Sequence, residues 1–449
     1  MSLARWLDPG ACPAERPPLA GMASETRELH QSIDAHIRGD GVAWLHPDRR
    51  TIQRDLLGSP AVVAWQEAKA AFVVTGDGAW SELPHLYARY GTPGVAALID
   101  AIRRLEVARC AFATDSGMQA VALVADAVLG RGHHAIAMRQ VYNKTKTFLD
   151  WSARRVGGSL TLVDDGDLDG LAAAITPQTR LIFAETFTNP LMRAQDLAAL
   201  VARKGKARLV VDGTIATPWG MRRRLLEHGV DVVVGSLTKA MGGEDIALGG
   251  YIATNDAELG NQVMDLIAMR GGILDDERAR RITAHLPDAE RTHARRCTTA
   301  TAVARFLATH PRIERVFHPS LPDHPDAAVI ARDYTRHGSL VSFRARGLDE
   351  MAHRHLADVL VSTIVPRYAL SFDGLVTKVN HHRTVSEYFT PDDVVARLGI
   401  DRLIRLGIGL EAADDVIACV NWALHNADRI SPAELDDWRA ARTRELNLR

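Results

Sequence analysis

LVVDGTIATPWGMRRRLLEHGVDVVVGSLTKAMGG, residues 209–243, holds two short apolar runs that each deliver a reactive side chain. LVVD closes on Asp212, and DVVVG leads through Ser236 and Thr238 to Lys239. Neither run alternates apolar with polar residues, the texture of strands covered by helices on both faces. Open α/β sheets bind their ligands beyond the carboxyl ends of the strands. The stretch therefore predicts a carboxylate and an amine side by side at the rim of a buried sheet.

The same texture extends in both directions. AIAM (135–138), LTLV (160–163) and LIFAE (181–185) alternate with helical stretches from about residue 95, which predicts βα units and a mostly parallel sheet. Beyond about residue 270 amphipathic helices take over, among them AVARFLATH and a last long helix with Val416, Val420 and Leu424 on one face behind Asp414 and Asp415. LVSFRA and RLIRLGIGL read as strands of a second sheet. Residues 1–85 mix Pro and Trp with short helical patterns, such as Leu29, Ile33 and Ile37 ahead of Gly39. The expected organisation is an N-terminal arm over 1–85, a large α/β domain over 86–270 and a smaller α+β domain over 271–449.

With 54 basic and 55 acidic residues the formal charge of the 449-residue chain is -1, so no long-range field favours nucleic acid or an anionic membrane. Cys12, Cys110, Cys297 and Cys419 lack metal-ligand or disulfide-framework spacing. His133–His134 and His381–His382 lack helical metal-ligand spacing, and solvated or hydrogen-bonding roles are expected for them. No apolar run is long enough to cross a bilayer. These features predict a soluble cytoplasmic protein with a small neutral ligand, no metal, no nucleic acid and no membrane.

Only seven lysines occur, at 69, 144, 146, 204, 206, 239 and 378, so the position of Lys239 at a strand end carries weight. A pyridine-ring cofactor needs a carboxylate to keep its ring nitrogen protonated and an amine to form an imine, and Asp212 with Lys239 can supply both. The plainer readings are a turn residue for Asp212 and a helix-entry lysine for Lys239. DSGMQA (115–120) adds Ser116, Gly117 and Met118 at a predicted helix start, where free backbone N–H groups bind phosphate. Arg405 on the apolar run Leu403–Ile408 would be costly to bury without an anion; Glu411 is the alternative structural partner.

From Tyr87 onward the sequence resembles the cystathionine γ-synthase group of Cys/Met-metabolism pyridoxal-phosphate (PLP) enzymes. The resemblance rests on YARYGTP, DSGM, ETFTNP, VDGTIATP, SLTKAMGG, ALGG and RLGIGLE, in that family's order. It implies fold type I, with Lys239 as the Schiff-base lysine and Asp212 on the pyridinium nitrogen. Ser236, Thr238, Ser116, Gly117 and Met118 would hold the phosphate, Tyr142 would stack on the ring, and Asn189 would lie near its 3-hydroxyl. Arg405 and Ser371 would lie on the substrate side. Tyr87 and Arg89 match residues that reach into a neighbouring subunit's site, which implies at least a dimer with shared sites; a tetramer is the form expected.

Several positions depart from that pattern. Gly213 stands where the family has Asn, Asn143 and Lys144 follow Tyr142 where small residues are usual, Glu244 and Asp245 follow the Gly pair, and SFDGLVTKVNHH replaces the usual substrate-side segment. The resemblance implies γ-elimination or γ-replacement on a small L-amino acid, with Lys239 moving the Cα and Cβ protons and Tyr142 as the acid for the leaving group. The departures point to a specialised member, of the kind that makes an alkyne amino acid from a γ-chlorinated allylglycine. A β-eliminating C–S lyase, an aminotransferase of the same fold and a catalytically silent PLP-binding regulator are the alternatives.

Overall fold

The computed structural model describes residues 19–38, 88–242, 245 and 247–447. Tyr87, Glu244 and most of the predicted arm lie outside them.

Seven strands form the larger sheet: β1 (Cys110–Thr114), β2 (His134–Met138), β3 (Ser159–Val163), β4 (Thr179–Glu185), β5 (Arg208–Asp212), β6 (Val232–Ser236) and β7 (Gly250–Thr254), in the order β1-β7-β6-β5-β4-β2-β3. From β6 to β3 the neighbours are parallel, and β7 is antiparallel to both β6 and β1. The apolar runs are interior strands, since Leu209–Val211 and Val232–Val234 are wholly buried. Burial on both faces is why they show no alternation. Helices including Pro93–Glu106, Gly117–Val128 and Asn143–Arg155 pack on the sheet.

A 34-residue helix, Asp276–Thr309, links the two halves of the molecule. At about 50 Å it is long enough to pack on the helix Pro93–Glu106 near one end and on the second sheet near the other. That sheet contains β8 (Ile313–Phe317), β9 (Leu340–Ala345), β10 (Arg367–Tyr368), β11 (Lys378–His381) and β12 (Ile404–Gly407), in the order β10-β11-β12-β9-β8. β12 runs antiparallel to β11 and β9, and its register sets Arg405 directly across from Asn380. The helices Glu350–Ser362 and Ala413–Asn426 bury one face of this sheet with Val416, Val420 and Leu424 in the shared core.

Two details differ from the sequence reading. The helix bearing Val416 is not the last; Pro432–Glu445 follows, started by a capping box between Ser431 and Glu434. It escaped notice because it is polar on most of its surface, with Leu435 its one buried residue. Part of the N-terminal region is also tied to the second sheet's helices. In the helix Ser24–Arg38, Thr26 Oγ1 donates to Asp415 Oδ2 at 2.7 Å, and His30 Nε2 lies 3.2 Å from Glu411 Oε1. Among the described residues no helix is long and apolar enough to cross a membrane.

Candidate active site

The carboxyl ends of β4, β5 and β6 open into a cavity of about 480 Å³, closed on the other side by residues of the 370–389 segment and by Arg405. Glu185, Asp212 and Ser236 end the three strands, and each contributes to the wall. Asp212 and Glu185 are direct register partners, so the parallel pairing itself sets two carboxyls side by side. Burial pushes both above the usual carboxylate range, Glu185 the more strongly because Asp212 adds like-charge repulsion. Asp212 Oδ1 accepts the Thr214 N–H at 2.8 Å, the turn contact of the plainer reading, and this bond favours its ionised form. Glu185 Oε1 accepts the backbone N–H of Tyr142 at 2.6 Å.

Lys239 lies in the turn after β6. Its Nζ donates to Ser371 Oγ at 2.6 Å and sits 4.9 Å from the centre of the Phe372 ring. Burial, reinforced by the nearby Arg405 charge, lowers its pKa to about 8. A substantial fraction of the amine is thus neutral and nucleophilic near physiological pH.

The helix Gly117–Val128 starts beside these strand ends, with Ser116 as its N-cap accepting from Gln119 N–H at 3.2 Å. Ser116 Oγ itself donates to Asp115, which leaves the first backbone N–H groups of the helix, at Gly117 and Met118, as the natural anion donors. Gly117 is required by close approach: a Cβ there would meet Ser236 Cβ at 3.0 Å and Ser236 Cα at 3.3 Å. Thr238 is fixed by a pair of contacts with Gly249, and the Ser236 N–H donates to Thr214 Oγ1 at 2.8 Å.

Arg405 is buried in the cavity wall. Its Nη1 donates to Asn189 Oδ1 at 3.2 Å and its Nη2 to Leu370 O at 2.8 Å, while Nε has no partner among the described residues. The alternative partner Glu411 is instead taken by Thr377 and His30. The hydrogen-bond partners of Arg405 among the described residues are neutral, and burial lowers its pKa to about 10 against the opposing pull of Asp373. Asn189 lines the cavity through this contact with Arg405. Tyr142 caps the helix Asn143–Arg155 half exposed, and burial raises its hydroxyl pKa, which keeps it protonated as a proton donor must be.

The structure thus brings together Lys239, Asp212, Ser236, Thr238, Ser116, Gly117, Met118, Tyr142, Asn189, Ser371 and Arg405. Arg89 does not line this cavity; its guanidinium lies over the Tyr90 ring. Asn143, Lys144, Phe372, Tyr388 and Phe389 also line it, and Lys144 Nζ sits 4.4 Å from the Phe389 ring centre. Phe372 falls in the segment that the resemblance put on the substrate side, whereas Tyr388 and Phe389 carry no residue spacing by which sequence reading could assign them to the site. His381 makes hydrogen bonds as expected, to Thr384 Oγ1 and Asp401 O. His382 departs from the expectation: it is buried in the cavity wall and neither ring nitrogen has a partner among the described residues.

A buried amine, a buried carboxyl at the neighbouring strand end and a glycine-cleared helix start fit the imine, ring nitrogen and phosphate of pyridoxal phosphate. Fold and site define a PLP-dependent enzyme of fold type I. The chain belongs to the Cys/Met metabolism PLP-dependent enzyme family, whose model matches residues 63–425. It is 31% identical over 375 residues to an L-methionine gamma-lyase of Fusobacterium nucleatum subsp. polymorphum, covering 81% of this chain and 93% of that protein. It is 33% identical over 341 residues to the cystathionine gamma-synthase of Mycobacterium tuberculosis, covering 75% and 86%. Its fold matches the crystal structure of cystathionine gamma synthase from Xanthomonas oryzae pv. oryzae in complex with aminoacrylate and cysteine with TM-score 0.72 and 29% identity, covering 76% and 88%. The protein is accordingly an enzyme of the γ-elimination and γ-replacement class.

Proposed function

We propose that this enzyme acts on a small L-amino acid carrying a γ-leaving group, as a specialised member of its family outside ordinary methionine breakdown. The observation that carries this reading is the pairing, across one cavity, of the partly neutral Lys239 amine with the buried guanidinium of Arg405. When bound, PLP supplies an electron sink for a carbanion at the substrate's Cα.

The chain's own residues then have separable tasks. Asp212 holds a proton on the ring nitrogen, Arg405 forks the substrate carboxylate, and Lys239 carries protons at Cα and then Cβ. Ser371 holds the Lys239 amine in place between these positions. Tyr142, kept protonated, donates to the departing group. Gly117, Met118, Ser236 and Thr238 secure the phosphate, with Ser116 organising the helix start. The specialised role is supported by Lys144, Asn143 and the 370–389 segment, which make this substrate wall unlike the family's usual one.

Tyr87 and Arg89 belong, in this reading, to the neighbouring subunit's site, in a cytoplasmic dimer or tetramer. Leu370, Tyr388 and Phe389 support it: they rim the cavity yet stand exposed in the single chain, as residues awaiting a partner do.

The test is proton exchange in heavy water, followed by NMR, with straight-chain amino acids that lack a leaving group. Loss of both Cα and Cβ signals is expected. Loss of Cα alone would replace the proposal with a β-lyase or aminotransferase, and loss of neither would fit a silent PLP-binding protein.

A further inference from the structure

His382 opens the short helix His382–Ser386 immediately after β11, and its N–H donates to Leu403 O at 2.9 Å. It lies two residues past Asn380, the register partner of Arg405, so imidazole and guanidinium reach the same rim of the cavity. The ring is 2% exposed, and neither Nδ1 nor Nε2 has a hydrogen-bond partner among the described residues. The buried His134 bonds Thr179 and Thr161, the buried His310 bonds Asn421, and His318 leaves only Nε2 open while Nδ1 bonds Ser320. A buried polar group aimed into a ligand cavity with its bonds unmade is waiting for the ligand to make them.

The ligand atom is indicated by what lies nearby. Arg405 Nε is also without a partner among the described residues, and Arg405 lines the same cavity and is near enough for its charge to act on His382. A carboxylate offers about four acceptor positions, of which a guanidinium fork uses two. Burial, together with the Arg405 charge, keeps the imidazole neutral, so it adds a donor there without adding a second cation.

We propose that His382 is a substrate-binding residue that donates a hydrogen bond to the α-carboxylate held by Arg405. This rests on the reading of the cavity as an amino-acid site. In its bound state the carboxylate is gripped by two residues through three hydrogen bonds, instead of by the two of the arginine fork alone.

The test titrates the PLP-loaded enzyme with L-norvaline and with n-butylamine, its carboxylate-free counterpart, reading the cofactor's visible band. His382→Leu should weaken norvaline binding roughly tenfold or more, the loss of a hydrogen bond to a charged group, and leave butylamine unchanged. His382→Gln, which keeps an N–H donor, should recover part of the loss. Where the leucine variant misfolds, His382→Met keeps the bulk and carries the same comparison. Unchanged norvaline binding would overturn the proposal, as the result for a histidine that contacts the γ-substituent. Equal weakening of both ligands would overturn it too, by showing a merely structural role. A wild-type enzyme that binds butylamine and ignores norvaline would sink the amino-acid reading of the site itself, whatever the variants do.

Discussion

On the large-sheet side of the cavity, Asp212 and Thr238 are each held by a neighbour, Thr214 or Gly249, and stand at strand ends fixed by a buried parallel register. On the facing side, Arg405 Nε and both His382 nitrogens lack partners among the described residues, and Tyr388 and Phe389 stand exposed at the rim. The polar groups named on the first wall are held by neighbours in the same chain; those on the second have no such neighbours among the described residues. Preorganised donors cost nothing further when the cofactor arrives, whereas the open ones become strong only when a substrate fills them. The departures from the family resemblance fall on both sides: Gly213 beside Asp212 on the first wall, and Asn143, Lys144 and SFDGLVTKVNHH around the second, while Asp212, Lys239 and Arg405 match it.

The comparison can be attacked from either side. Lys239→Ala should have the largest effect, because this amine serves both walls: turnover should fall by about a thousandfold or more. The check is a rate measurement beside the visible spectrum, with circular dichroism showing the fold retained; an active variant would remove the central residue. Arg405→Lys should act on the substrate wall alone. KM for amino acids should rise by about two orders of magnitude, as a bidentate contact is replaced by a point charge, with cofactor affinity unchanged. A parallel loss of cofactor would show that the walls are coupled.

Gly117→Ala is the mirror experiment. Its Cβ would press on Ser236 and displace the helix start, a strain of about 1–3 kcal/mol, so cofactor affinity should drop by roughly tenfold with little change in KM once the enzyme is loaded. The smallest effect is one of pH. With cofactor removed, Lys239 has its pKa lowered to about 8, so the rate of cofactor attachment should rise with pH and level off above that value. Roughly a tenth of the amine is neutral at pH 7, against about one part in a few thousand for an ordinary lysine. An attachment rate still climbing at pH 10 would mean that the amine is hydrated and the wall open.

The sign of that shift also fixes its effect on stability. A lysine depressed in the folded state leaves the unfolded chain binding more protons between pH 8 and about 10.4, so this group destabilises the cofactor-free protein below pH 8. The penalty is relieved as pH rises through that window. Burial of Lys239, with no ion pair among the described residues, is the cost of having a reactive amine.

Much of this was legible in residues 209–243, because a buried parallel strand leaves a distinct mark: an unbroken apolar run that ends on the residue facing the ligand. Asp212, Ser236, Thr238 and Lys239 could be picked out for that reason, and the βα rhythm around them fixed the fold class. Ser116 was legible as a helix start, although its hydroxyl serves the helix and not the open cavity. The small helix at 432–445 was lost because a polar surface helix has little periodicity to read.

The sequence by itself determined the five parallel strands β2 to β6, and its ordered motifs determined the family, since each strand and each motif is encoded by neighbours a few positions apart. Tertiary structure decided what depends on distant segments meeting. It joined Glu185 to the Tyr142 backbone, set Ser371 on Lys239, kept Glu411 away from Arg405 and turned His382 from a polar-segment histidine into part of the substrate wall. The physical reason is that strand identity is written in local hydrophobic pattern, whereas a side chain's partners are set by register and packing between elements 34 to 132 residues apart in these cases.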